Sequence, residues 1–382
     1  MPAVNENDVL VYKGSNFFRQ RLLLSTLSGR AIKIKEIRSS HEDLGLREYE
    51  VNLIRLLDKV TNGTVVELGE TGTSLYYQPG ILIGGQVTHS CCPQRGIGYY
   101  LEVLLALGPF CKEPLNAVLQ GVTHNDLDVS VDKVKTAALP ILLKFILVDD
   151  GLELKVVRRG APPLGGGEVV FRCPVRRHLR PLQWTTWGLV KRIRGVVYAL
   201  RVSPTMANRV VDSAKGVMLK FLPDVYINTD QCRGSNAGKS PGFGVSLVAE
   251  TNEKTFYCAE AKSCEAGKGE ITLPEDLGRE CAMSLLDEIA RGGAVDSAFQ
   301  WLLALWMALG QKDVSVCIVG PLSDYTITFL QHLKEFFGVM FKLEAVTHES
   351  EESDDESDLP MSNKIKMTCV GIGYVNISKR TL

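Results

Sequence analysis

The chain lacks the features that would tie it to a membrane, to a disulfide framework or to a metal. No apolar run approaches the roughly 20 residues that cross a bilayer, and no secretory leader opens the sequence, so neither insertion nor export is expected. Ten cysteines are present, among them the adjacent pair Cys91-Cys92, but none forms a C-x-x-C pair or a histidine-bearing zinc spacing. They read as reduced, buried thiols of an intracellular protein. No paired-carboxylate motif stands out, and no metal or other cofactor is expected. Net charge is also nearly absent, at −1. What remains is 382 residues, 45% hydrophobic and 23% charged, enough to bury one large core or two moderate ones.

The small net charge hides an asymmetry. Glu349, Glu351, Glu352, Asp354, Asp355, Glu356 and Asp358 form an acidic run worth −7, so the rest of the chain carries +6. Low hydrophobicity and like charge make this run an expected disordered loop, 347–362, with Ser350, Ser353 and Ser357 placed as acidic-directed kinase sites. Conversely, Arg172, Arg176, Arg177, Arg180, Lys191, Arg192, Arg194 and Arg201 occur with no acidic residue among them. They form either a phosphate-facing patch or a solvated surface whose arginines pair with carboxylates elsewhere.

Hydrophobic periodicity gives strand, helix, strand, helix, strand, strand from Val9 to Tyr77. The helices are carried by Phe18, Leu22, Leu23 and Leu27 and by Leu46 to Val60. A second copy has helices at Ile97–Leu107 and Val131–Ile146, with a strand at Asn116–Gly121 between them. A third has a helix near Asp296–Leu309, a strand at Val314–Val319, a helix at Tyr325–Phe337 and strands at Val339–Glu344 and Ile365–Ile372. A period near eighty residues exceeds that of a solenoid and predicts three compact βαβαββ-like modules. The expected layout is an α/β chain with modules one and two in 1–182, a small inserted α/β domain in 183–269, and module three in 270–382.

The second module closes on Leu152 to Cys173, where two β-rich runs flank Arg158-Arg159-Gly160-Ala161-Pro162-Pro163-Leu164-Gly165-Gly166-Gly167. Glycines here serve either as a wide hairpin turn or as a place where a backbone or phosphate comes close. This stretch resembles the Arg-(Arg/His)-Gly-x-x-Pro-x-Gly-Gly-Gly-Glu-Val hairpin of the RNA 3′-terminal phosphate cyclase superfamily, and nearly the whole chain is similar to its cyclase-like, ribosome-assembly branch. The resemblance implies three modules of this kind, each similar to the C-terminal domain of a bacterial translation initiation factor, plus an insert.

Enzymatic members carry a loop Asp-Gly-x-x-x-Glu-Gly-Gly-Gly-Gln-x-x-Arg near the start. Here Lys13-Gly14-Ser15-Asn16-Phe17-Phe18-Arg19 keeps Gly14 and Arg19 but replaces the phosphate-cradling glycines with aromatic bulk. Ile37-Arg38 through Gly45-Leu46-Arg47 resembles the family's Ile-Arg…Pro-Gly-Leu-Arg element, with Leu44 in place of the proline. Thr123-His124-Asn125 and Val129-Ser130-Val131-Asp132 match module two, and capping of a helix by Ser130 accounts for them. Aligned through Phe336-Phe337-Gly338-Val339-Met340-Phe341, the family's AMP-carrying histidine falls on Tyr325. A phenol of pKa about 10 is ill matched to attack on an α-phosphate and departure from it.

The resemblance therefore implies no catalytic residue and no cofactor. Arg19, Arg38, Arg47, Arg158, Arg159, Arg176 and Arg177 are left as candidate RNA or phosphate contacts. It further implies a nuclear, nucleolar assembly factor of the small-subunit processome, monomeric within a large complex. Its implied partners are pre-rRNA with small nucleolar ribonucleoprotein and a large GTPase assembly factor, and its implied role is early pre-rRNA cleavage and small-subunit (18S) rRNA maturation. Two rivals stay open: a pre-rRNA endonuclease built on Asp324, His332 and Lys334, and an active ATP-dependent RNA 3′-phosphate cyclase.

Overall fold

The computed structural model describes residues 9–147, 150–265, 267–269, 271–346 and 364–376; the acidic run and its serines lie outside them. Module one is the strand Leu10–Lys13, the helix Phe18–Ser28, the strand Ile32–Lys35, the helix Glu48–Val60 and the strands Val65–Leu68 and Leu75–Gln78. The first two strands run parallel, as a helical crossover demands. The last two add antiparallel, giving the spatial order first, second, fourth, third.

Module two repeats this order with Gly84–Ser90, Glu113–Gly121, Gly167–Cys173 and Glu153–Arg158. Its second helix begins where the Ser130 side chain accepts from the Lys133 amide, as expected, and contains one π turn over Val134–Ala138. Module three repeats the order again with Gln183–Trp184, Val314–Val319, Ile365–Val370 and Lys342–Ala345. The three modules share one continuous core through Leu22, Leu104, Phe145, Trp306 and Phe329.

The inserted unit has a separate core of Ile193, Val197, Val210, Ala214, Leu247, Leu277, Cys281 and Leu285. Its boundaries differ from the expected 183–269. Gln183-Trp184 pairs parallel with Val316-Cys317 and so belongs to module three, while the helix Pro274–Arg291 packs on the insert. The insert thus occupies Val190–Arg291, spliced between the first strand and first helix of module three. Its sheet runs Val225–Cys232, Val190–Leu200, Gly242–Thr251, Phe256–Lys262. The helices Pro204–Met218 and Pro274–Arg291 cover one face of it.

The glycine-rich hairpin is an inter-domain joint. A Cβ on Gly160 would stand 2.2 Å from the Gly167 amide nitrogen, and one on Gly238 of the insert 2.7 Å from the Arg159 and Gly165 carbonyl oxygens. Lys239 N donates to Gly165 O at 2.9 Å, and Leu164 N donates to Ser240 Oγ at 3.1 Å. Backbone meets backbone here, which is the close-approach use of glycine.

Candidate functional site

The helices Phe18–Ser28, Ile97–Leu107 and Asp324–Phe337 come from the three different modules and converge on one guanidinium. Ser323 caps the last of these helices by accepting from Thr326 N, which sets Tyr325 in the first turn. Arg19 Nη2 donates to the Tyr325 hydroxyl at 3.0 Å, and Nη1 donates to the Glu102 carboxylate and to Tyr99 O. The guanidinium carbon lies 5.0 Å from the Tyr99 ring centroid, 5.7 Å from that of Tyr325 and 5.8 Å from that of Trp301. The Arg19 and Glu102 side chains are 13% and 5% exposed.

Burial works against the Arg19 charge, but Glu102, Tyr325 and Tyr99 together outweigh it and hold the guanidinium above its usual range. Burial also raises the Tyr325 phenol, against the pull of Arg19. The phenol is therefore protonated at neutral pH, and its oxygen already accepts a charged hydrogen bond. Phe17 closes the remaining side, 6.1 Å from the Tyr325 ring and 6.0 Å from His332. It holds φ at 56°, a left-handed conformation that is costly for an aromatic residue.

The other expected contacts are distributed. Arg38 forms a bidentate pair with Glu50 at 2.7 and 2.8 Å. Arg47 stands at the N-cap of the next helix and reaches Asp43 at 2.8 Å. Arg159 is 5% exposed and bridges Asp132 in module two to Asp230 in the insert, at 2.6 Å to each. Arg158 lies 3.7 Å from Glu168. Arg176 is half-buried and Arg177 exposed, on the segment leading to module three.

Four members of the basic stretch are already engaged. Arg172 pairs with Glu153, Arg192 with Glu250 and Arg194 with Asp224, while Arg201 donates to Gly238 O. Sequence reading missed Glu102, Tyr99 and Trp301. Glu102 was findable, being the one acidic residue in the otherwise apolar helix Ile97–Leu107.

His332 is 5% exposed, and its Nδ1 donates to Gln20 Oε1 at 3.0 Å. Burial, then Arg21, lowers its pKa to about 4; burial, then Lys59 and Arg55, does the same to His89, which is 3% exposed. Both histidines are neutral in the fold and titrate at about 6.5 when unfolded, so the unfolded chain binds the extra protons between those values. Stability is therefore complete above pH 6.5 and falls as pH drops towards 4, by about 2 kcal/mol per histidine between pH 7 and 5. Thermal melts should show that decline, and His89→Gln/His332→Gln should flatten it; an unchanged slope in the double variant would mean that these rings do not carry it.

A model of the RNA 3′-terminal phosphate cyclase family matches residues 10–343. The chain is 57% identical over 384 residues to a "Probable RNA 3'-terminal phosphate cyclase-like protein" of Drosophila melanogaster, covering 100% of both chains. It is 58% identical to the "RNA 3'-terminal phosphate cyclase-like protein" of Homo sapiens, over 97% of each. It is 42% identical to the "rRNA processing protein rcl1" of Schizosaccharomyces pombe, again over 97% of each. Three modules of one strand order, a shared core and full-length similarity agree: this chain belongs to the RNA 3′-terminal phosphate cyclase family, alongside its cyclase-like proteins.

Proposed function

We propose that this chain is a non-catalytic cyclase-like factor in rRNA processing. It would act in the nucleolus within the small-subunit processome, where it is needed for early pre-rRNA cleavage and 18S rRNA maturation. Its partners would be pre-rRNA with small nucleolar ribonucleoprotein and a large GTPase assembly factor. The observation that carries this reading is the plugged junction. Tyr325 is fixed by Arg19 and flanked by Phe17 and Trp301; the resemblance puts the family's nucleophile at this position, so the family fold would lack the family's reactive group. The name of the fission yeast relative supports the process.

Crosslinking and sequencing from a tagged protein in cells tests the proposal. Reads should concentrate on the precursor of the small-subunit rRNA. Reads spread across mature messenger RNAs would overturn it.

A further inference from the structure

Two adjoining cavities, of about 500 and about 590 Å³, follow the joint between module two and the insert, well apart in chain and contacts from the Arg19 junction. Both are lined by Asp132, Lys135, Val196 and Asn228, so they form one groove. Its floor is the face of the inserted sheet that the two helices leave uncovered. Register places Tyr226, Arg194 and Val248 in one row across three strands, and Asn228, Val196 and Ser246 in the next. Tyr226 is 58% exposed. The Ser246 hydroxyl is buried, lines the groove and makes no hydrogen bond among the described residues.

The wall is basic. Lys135, Lys155 and Arg233 are exposed along it, and Arg158, 3.7 Å from Glu168, also lines it. The carboxylates in the lining are already committed. Asp132 and Asp230 hold Arg159, and Glu250 holds Arg192 and Lys254. Burial would raise the Asp132 carboxyl, but Arg159 pulls it below the usual range, so it stays ionised and satisfied.

We propose that this groove binds a short single-stranded RNA segment, its phosphates on Lys135, Lys155, Arg158 and Arg233 and a base stacked on Tyr226. The inference rests on the RNA-processing reading above and adds the surface that reading lacks. Charge complementarity selects a polyanion. An exposed aromatic on the open face of the sheet selects one with unpaired planar bases, since stacking on an aromatic needs a base released from a duplex. An acidic peptide would use the cations but leave the Tyr226–Val248 row without a partner.

The test uses the full chain and fluorescein-labelled 12-nucleotide oligouridylate and oligoadenylate, followed by anisotropy between 50 and 200 mM salt. Tyr226→Ala should weaken binding about fivefold or more with the salt slope unchanged, because stacking carries no charge. Lys135→Glu/Lys155→Glu should weaken it at least about tenfold and flatten the slope of log K against log salt by about 1.4, roughly 0.7 for each lost phosphate contact. Lys33→Glu/Lys35→Glu on module one changes net charge equally and should do much less; melting temperatures confirm that each variant folds.

Equal losses in the two double variants would overturn the groove while leaving RNA binding intact. No binding by the wild type would overturn the groove outright, with the crosslinking experiment then deciding the processing role by itself. Binding of polyglutamate that the groove substitutions abolish, with RNA binding untouched, would make this a protein site and also overturn the proposal.

Discussion

Incubated with α-labelled ATP and a divalent metal ion, the chain should retain no acid-labile AMP, and a 3′-phosphorylated RNA should not gain a 2′,3′-cyclic end. Tyr325→His should not change this. Two separate losses stand behind the expectation. The Tyr325 phenol, at the position where the resemblance puts the family's nucleophile, is raised by burial and accepts from Arg19, so neither its charge state nor its lone pair suits attack on phosphorus. The N-terminal loop that would cradle a triphosphate presents Phe17 and Phe18 where the enzymatic pattern has glycines, and Phe18 is buried at 4%. An imidazole installed at 325 would meet the same rings, with no positioned phosphate and no amide cluster to stabilise charge. Labelled adduct on the wild type would sink the non-catalytic reading; adduct on Tyr325→His alone would show that the loop matters less than its bulk implies.

The modules were legible because each element announces itself locally. Leu22, Leu23 and Leu27 end at Gly29, which takes a left-handed cap at φ 74°, and Val314–Val319 alternates buried and open positions. What escaped had no such signature. The strand Gly84–Ser90 buries only Val87 and His89, so its alternation is hidden in glycine and polar residues. The strand Val190–Leu200 reads as a basic patch because its outward positions are Lys191, Arg192 and Arg194, while Ile193 and Val197 mark the buried face. The helix Pro274–Arg291 carries Gly278 in its second turn, a helix-weakening residue kept because a Cβ there would stand 2.5 Å from Val210 O of the neighbouring helix. The Arg19 cluster and the groove beside the insert join residues far apart in sequence, and spacing within one chain cannot show which arginine of a basic run will find a carboxylate.

Arg19→Ala should lower stability by about 3–5 kcal/mol, because removing one member of a buried ion pair strands the other. Glu102 would be left with its side chain 5% exposed and no guanidinium beside it, and Tyr325, Tyr99 and Trp301 would lose the group between them. In a melt this corresponds to a fall on the order of 5–10 °C for the three-module core. Arg19→Lys should recover only part of it, since a single ammonium cannot serve Glu102, Tyr325 and the Tyr99 carbonyl together. Arg19→Leu/Glu102→Leu should recover most of it, because no charge is left buried. The pH dependence has a definite sign. Burial already raises the Glu102 carboxyl against the pull of Arg19; in Arg19→Ala that pull is gone and the carboxyl rises further, so the fold prefers its protonated form and loses more stability as pH rises above the unfolded carboxylate range. The gap between wild type and Arg19→Ala should therefore be wider at pH 8 than at pH 5, a comparison from which the histidine contribution cancels. A guanidinium kept for an RNA phosphate would behave otherwise: Arg19→Ala would melt within about 1 °C of wild type at both pH values, and the assignment of Arg19 to the structural junction would fall.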